Sequence, residues 1–150
     1  MIEWKCKPFR ILTVYELYNI MRLRSEVFVV EQNCVYLDAD NKDQHCHHLF
    51  GCRNNEVIAY TRLVPPGISF KEPSIGRVVS APVHRRTGAG RIVMLKSLEQ
   101  CELLFGKQNI RIGAQFYLRK FYESLGFVQC SDVYLEDNIE HIQMLYMHDE

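Results

Sequence analysis

Residues 85–90 read RRTGAG and separate two unlike stretches, SIGRVVSAP at 74–82 and RIVMLKSLEQ at 91–100. The first stretch contains a short β-rich run. The second carries apolar residues at helical spacing, which predicts an amphipathic helix over about residues 89–105. A strand, a glycine turn and a helix start together form an anion site, because the first helical amides are unpaired and the helix dipole is positive there. From the turn alone, an anion site and a plain surface turn both remain open.

Composition limits the class of protein. The chain has 150 residues, of which 47% are hydrophobic, and its 18 basic and 18 acidic residues balance. One α/β domain over residues 1–150 is expected. A chain without net charge has no general field for nucleic acid or for an anionic membrane, so neither is an expected partner. The charged start MIEWKCKPFR and the lack of a long apolar run predict a cytoplasmic protein. The six scattered cysteines are expected to be free thiols.

The remaining patterns predict the other elements. Thr13 is the expected N-cap of a helix over 13–30, although the β-branched VFVV at 27–30 leaves its end near Glu26 open. HHLFGC and EVIAYTRLV predict two strands joined by the turn RNNE, and NIRIGAQ predicts another. LRKFYESLGF at 118–127 predicts a short helix ending at Gly126, and a terminal hairpin is expected around 136–138.

Two motifs in order carry a resemblance to a known family. Arg85, Gly88 and Gly90 after a strand are similar to the R/Q-x-x-G-x-G/A signature of the GNAT acetyltransferases, and GAQFYLRKFYESLGF at 113–127 supplies the family's tyrosine before Gly-Phe. MIEW, LRSEVFVVEQNCVYLDAD, IGRVVSAP and EHIQM look like its ElaA-type branch. Arg86 departs from a position where the family often has glycine, and Ser80 from one that is often aliphatic.

The resemblance implies a fold and a cofactor. The fold is α/β, the GNAT acyl-CoA N-acyltransferase fold, with a central mixed, mostly antiparallel twisted sheet, a splayed strand pair and flanking helices. The cosubstrate is acetyl-CoA, with pantetheine along the splayed strand and pyrophosphate on the turn. The residues implied to contact it are Val78, Val79, Ser80, Arg85, Arg86, Thr87, Gly88, Ala89, Gly90, Arg91 and Gln115.

The implied reaction is direct attack of a neutral primary amine, on a small molecule or a peptide, on the thioester. Tyr122 matches the general acid that protonates the leaving thiolate, although a packed aromatic is the alternative. The general base is open: a bound water could serve, and the candidate residues on the acceptor side are Glu31, Asp38, Asp40, His48 and His141. Three residues are expected near the acceptor: Asp38, Asp40 and His48, the two acids suiting a cationic amine.

Other interpretations compete with these. HCHH at 45–48 has too few converging ligands for a metal, and DADNKD at 38–43 lacks the turn glycine of a calcium loop, so no metal is expected. Cys34 could be a nucleophile, but a small buried hydrophobe is favoured. The alternative function is a non-catalytic acyl-CoA-binding or sensor module of the same fold. A nucleotide-binding protein would lack its Walker lysine. A homodimer is implied only by the resemblance, because members of the family often form dimers.

Overall fold

The computed structural model describes residues 1–148. Its elements, in chain order, are β1 (Glu3–Pro8), α1 (Val14–Arg24), a π-helical segment (Ser25–Glu31), β2 (His47–Arg53), β3 (Glu56–Val64), β4 (Ser74–Ser80), α2 (Ala89–Phe105), β5 (Ile110–Gln115), α3 (Arg119–Glu123), β6 (Phe127–Gln129), β7 (Tyr134–Glu136) and β8 (Ile139–Tyr146). The predicted helix over 89–105 and the terminal hairpin are confirmed. Strands β1 and β6 were not predicted.

The strands form two antiparallel sheets. The first has the order β1-β2-β3-β4, and the second has the order β5-β8-β6 with β7 also paired to β8. The expected single central sheet is therefore divided between β4 and β5, and the expected splayed pair is the place of division. Helix α2 packs with both sheets in the larger core, which includes Val93, Met94, Ile112 and Met144, while α1 covers the other face of the first sheet.

Strands β4 and β5 run side by side but meet only at their beginnings. The Arg111 amide donates to the Pro73 carbonyl at 3.1 Å, and the Arg111 guanidinium binds the Glu72 carboxylate at 3.0 and 3.1 Å. Beyond this joint, β4 pairs with β3 and β5 pairs with β8 on their far edges. The two facing edges are unpaired with each other, which leaves backbone donors and acceptors available between the sheets.

A β-bulge bends β4 where the sheets part. Tyr60 pairs with Val79 and Arg62 pairs with Gly76, so Arg77 and Val78 both stand opposite Thr61. Arg77 has φ of +50°, a conformation that few non-glycine residues adopt. An extra residue of this kind bends the strand and increases its twist. The bulge thus turns β4 away from β5.

The segment after α1 is helical, although its sequence left the end of the helix open. The Thr13 side chain accepts from the Glu16 amide and the Glu16 carboxylate accepts from the Thr13 amide, which confirms the predicted N-cap as a capping box. At the other end the chain changes to a π-helix through Glu31. Burial of Val27 against the first sheet overrides the β-propensity of VFVV. Among residues 1–148, no helix is long and apolar enough to cross a bilayer.

A buried ion cluster fixes α1 to the first sheet. Arg24 has 0% exposure, and its guanidinium binds Asp38 at 2.8 Å and Asp43 at 2.7 Å. Arg62 of β3 binds Asp40 at 2.8 Å and Asp43 at 3.1 Å, and Arg77 binds Asp38 at 2.8 Å. Burial alone would raise the pKa of Asp43, but Arg24 and Arg62 lower it overall. Every carboxylate of the cluster is therefore paired with an arginine.

Replacing Arg24 tests this cluster. We expect Arg24→Ala to lose about 3–5 kcal/mol of unfolding free energy, because it leaves Asp38 and Asp43 short of a buried partner. Arg22→Ala is the matched control, since Arg22 lies on the same helix but is exposed and stands 3.9 Å from Glu26. We expect it to change stability by less than about 0.5 kcal/mol. Urea unfolding of both variants decides the point, and equal losses would contradict it.

Candidate active site

A cleft of about 1290 Å³ opens between the splayed strands. Its walls come from the inner ends of β4 and β5, the π-helical segment, the loop before β2 and the β7–β8 hairpin. The predicted residues that line it are Glu31, Asp40, Val78, Val79, Ser80, Arg85, Gly90, Gln115, Tyr122 and His141. Residues on three separate parts of the chain thus share one cavity. Their proximity follows from the fold, and the turn motif alone could not have shown it.

The RRTGAG turn leads from β4 into α2 at one end of the cleft. The helix begins at Ala89, with Gly88 as its N-cap in the left-handed region at φ of +84°. A Cβ at Gly88 or Gly90 would meet nothing within 4 Å, so space is open above both residues. The first amides of α2 have no partner inside the helix, and the helix dipole makes this end positive. The turn therefore presents donors to an anion.

The side chains of the turn and of the first turn of α2 make defined contacts. Arg86 adopts φ of +66°, as the family's usual glycine would do at less conformational cost. The Arg91 guanidinium donates to the Ser124 hydroxyl at 3.0 Å, and the Thr87 hydroxyl donates to the His84 carbonyl at 2.6 Å. Ala89 is buried in the larger core. These contacts fix the start of α2 in place. The glycines Gly88 and Gly90 stay free of side-chain contacts.

Two side-chain pairs cross the cleft from the end of the π-helical segment. Arg85 donates to the Glu31 carboxylate, with Nη1 at 2.7 Å from Oε2. Gln115, at the end of β5, exchanges hydrogen bonds with Gln32 at 3.2 and 3.3 Å. The hydrogen bond from Arg85 lowers the pKa of Glu31. While this pair is formed, the Glu31 carboxylate is a weaker base than a free one.

Tyr122 stands on α3 beside the splay. It is buried to 5% exposure and packs edge-to-face on Phe121 and Phe127, while also lining the cleft. Burial raises the pKa of its phenol, and the nearby Tyr117 acts in the same direction. The packed-aromatic role and the functional role therefore coexist. A phenol that stays protonated is able to donate to a thiolate.

His141 lies on the cleft face of the second sheet. It pairs directly with Gln115 of β5 on one side and with Tyr134 of β7 on the other, so the three side chains share a face. Its Nδ1 donates to the Ile139 carbonyl at 2.7 Å, because a carbonyl can only accept. The neutral ring therefore keeps its lone pair on Nε2. That atom is 3.6 Å from the Glu136 carboxylate, and Tyr134 stacks on the ring at 5.9 Å.

The acceptor-side predictions need correction. His48 has 1% exposure, its Nδ1 lies 2.6 Å from the Tyr60 hydroxyl and its Nε2 lies 2.9 Å from the Asp43 carbonyl. Both ring nitrogens of His48 are therefore hydrogen-bonded, and His48 does not line the cleft. Asp38 is buried and paired with Arg24 and Arg77. Asp40 reaches the cleft wall, but its charge is neutralised by arginines. The loop acids therefore stabilise the fold and do not leave a free anionic surface.

The other cysteine and histidine motifs take structural positions. Cys34 is buried, with its sulfur 3.6 Å from the Asp137 carbonyl at the back of the cleft. His47 and His48 point to opposite faces of β2, as neighbours in a strand do. In the described part of the chain, no three metal-ligating side chains come together. All six cysteines lie in that part and are free.

Several residues of the cleft were missed by sequence reasoning. Gln32, Lys42, Arg62, Tyr134 and Glu136 all line it. Tyr134 extends over β5, where a Cβ on Gly113 would come within 3.3 Å of its hydroxyl. The absence of a side chain at that glycine in NIRIGAQ was the only available signal for a close neighbour. The others are polar residues whose function depends on position alone.

Comparison with known proteins agrees with this geometry. Residues 22–147 match the model of the acetyltransferase (GNAT) domain. The chain is 39% identical to protein ElaA of Escherichia coli over 146 residues, which is 96% of this chain and 95% of ElaA. The crystal structure of E. coli ElaA superposes with a TM-score of 0.91 over 97% of this chain and 99% of that one. An acyl-CoA N-acyltransferase from Pseudomonas aeruginosa, 40% identical, gives a TM-score of 0.92 over the same shares. The fold is therefore the GNAT acyl-CoA N-acyltransferase fold.

The two buried histidines provide a test of the site geometry. We expect neutral His141 to be protonated on Nδ1 and neutral His48 on Nε2, because each donates to a backbone carbonyl through that nitrogen. Long-range ¹H–¹⁵N spectra above the pKa of both rings distinguish the tautomers. His48 serves as the internal control, and burial lowers its pKa, so it stays neutral over a wide range. The same tautomer at both positions would contradict the arrangement.

Proposed function

We propose that this chain, which belongs to the GNAT acetyltransferase family, transfers the acetyl group of acetyl-CoA to a primary amine in the cytoplasm, without a metal. The observation that carries the proposal is the unpaired edge of β4 leading directly into a turn of open amides. An extended chain with an anion at one end matches both features. Acyl-CoA has this form, because its pantetheine arm carries two amides and ends at a pyrophosphate.

The cofactor residues would act mainly through the backbone. The free edge at Val78, Val79 and Ser80 would pair with pantetheine as though it were an added strand. The amides from Arg86 to Arg91 would bind the pyrophosphate, and Arg85 would exchange the Glu31 carboxylate for phosphate oxygen. Because these contacts use main-chain atoms, the departures at Ser80 and Arg86 leave them intact. Gln115 would contact the cofactor after releasing Gln32.

The chemical step needs a proton removed from the amine and a proton given to sulfur. The amine nitrogen forms a bond to the acetyl carbonyl carbon, the carbon–sulfur bond breaks and CoA leaves as a thiolate. Tyr122 would protonate that thiolate. His141 would take the proton of the amine at Nε2, and Glu136 at 3.6 Å would stabilise the resulting imidazolium. Of the candidate bases, we favour His141 over Glu31, because its lone pair is fixed by the Ile139 carbonyl.

A non-catalytic acyl-CoA-binding module of the same fold is the second candidate. It would use the same cleft and the same turn, so binding alone does not separate the two functions. The cleft-lining phenol of Tyr122 and the oriented ring of His141 favour catalysis, since binding a cofactor requires neither. Turnover in the presence of amines discriminates the two.

Thermal unfolding with acetyl-CoA, beside CoA, ADP and NAD, tests the binding part. A ligand at about 100 times its dissociation constant stabilises by about 2.7 kcal/mol. For a chain of this size, the melting temperature should rise by roughly 5–10 °C. We expect acetyl-CoA and CoA to stabilise the protein and NAD to leave it unchanged. An ADP response equal to that of CoA would favour a nucleotide-binding protein, and no response to either CoA species would overturn the proposal.

Substitution of Tyr122 tests the catalytic part. We expect Tyr122→Phe to lower kcat by about 100-fold, because it removes the proton donor to the thiolate, while the melting shift with acetyl-CoA stays the same. Tyr15→Phe is the control, since Tyr15 is exposed on α1 and far from the cleft lining. Release of CoA thiol with an amine present is the measurement. Unchanged turnover in Tyr122→Phe would exclude its role as the acid.

A further inference from the structure

Lys42 lies on the cleft wall, and its ammonium has no carboxylate partner in the described part of the chain. Its ammonium lies 3.3 Å from the Ser69 hydroxyl, and no ion pair joins it to a carboxylate within residues 1–148. The three acids of the same loop, Asp38, Asp40 and Asp43, are already bound by Arg24, Arg62 and Arg77. Asp40 binds two of these arginines and accepts from the Lys42 backbone amide. The side chain of Lys42 is therefore the excess positive charge of this cluster.

Arg62 adds an independent observation at the same place. It is 3% exposed and lines the cleft with Lys42 and Ser69, yet its Nε–H is buried without a hydrogen-bond partner in the described part of the chain. An unpaired buried donor is costly, so it favours an acceptor nearby. Lys42, Arg62 and Ser69 therefore line the same cleft, and Ser74 also contributes to its wall.

We propose that Lys42, Arg62 and Ser69 form a subsite for a carboxylate, carried by the acceptor amine. This inference rests on the proposed acyl transfer. A carboxylate would form the ion pair that Lys42 lacks and would accept from the Ser69 hydroxyl. The acceptor class is then an amino acid or related amine with its own carboxylate. This proposal differs from the expected cation-binding acidic loop, since the three carboxylates of that loop are paired and Lys42 is its unpaired charge.

The register of β4 places the subsite next to the proposed pantetheine edge. Arg62 pairs with Gly76, which precedes Val78, the first residue of that edge, by two positions across the β-bulge. The opposite wall carries His141 with Glu136 and Asp137, whose carboxylates suit an incoming ammonium. An acceptor with its nitrogen at His141 and its carboxylate at Lys42 therefore lies across the cleft.

Matched acceptors test the subsite. We compare ω-amino acids of three to six carbons with n-alkylamines of the same length, using acetyl-CoA and the full chain. We expect Lys42→Met to raise the KM of the ω-amino acids at least tenfold and to change the KM of alkylamines and of acetyl-CoA by less than twofold. Lys107→Met is the control, because Lys107 is exposed beyond α2. Equal effects on both acceptor series, or no effect on either, would overturn the subsite.

A binding measurement separates this inference from the proposed function. NMR titration of the CoA-loaded protein with 5-aminopentanoate should shift the amides of Ser69 and Gly76, and the shifts should vanish in Lys42→Met, whose fold is checked by its melting temperature. Binding without turnover would support the subsite and count against catalysis. No binding at these amides would overturn the subsite, even if alkylamines are acetylated.

The carboxylate could also belong to the acyl group. Succinyl-CoA is the probe for that source. Its acyl group is an acetyl group in which –CH₂–COO⁻ replaces one methyl hydrogen. If the acyl chain is the source, Lys42→Met should weaken succinyl-CoA at least tenfold and leave acetyl-CoA unchanged. This result would keep the carboxylate subsite and overturn its assignment to the acceptor.

Discussion

The bend of β4 at Arg77 is the constraint on which the cleft depends. A regular β4 would pair with β5 along its whole length, and no edge would be left for a ligand. The left-handed conformation of Arg77 costs about 1–2 kcal/mol, and the surroundings must hold it in place. They do so through its guanidinium, which binds the Asp38 carboxylate at 2.8 Å and the Asp38 carbonyl at 2.9 Å. The Glu72–Arg111 pair keeps the strands together at the opposite end.

The same loop acids therefore link the cleft to the core. Asp38 binds Arg77 on the cleft side and Arg24 on the α1 side, so the bulge and the helix share one carboxylate. Charges this deeply buried are tolerated only as a fully paired set. This pairing leaves the acidic loop without a free carboxylate for a cationic amine. In sequence, DADNKD shows three acids close together, while the arginines that neutralise them come from α1, β3 and β4.

Local signals predicted the parts of the molecule that depend on local interactions. Thr13 is a local N-cap signal, which the structure confirms, and the apolar stripe of α2 follows from one helix. The π-helical segment was not predictable in this way, because burial of Val27 by the first sheet outweighs the propensity of VFVV. His48 and His141 show the same limit within the site. Both histidines lie in strands. Only the tertiary fold shows that His141 lines the cleft and that His48 does not.

The end of the π-helical segment joins the two arms of the splay. Its last residue, Glu31, binds Arg85, and the following residue, Gln32, binds Gln115. Both pairs are accessible to solvent in part, and an exposed ion pair contributes at most about 1 kcal/mol. A pyrophosphate, with more charge and with the turn amides as additional donors, would displace Glu31 from Arg85 at small cost. In the proposed function, Arg85 would therefore bind Glu31 before the cofactor enters and a phosphate oxygen afterwards.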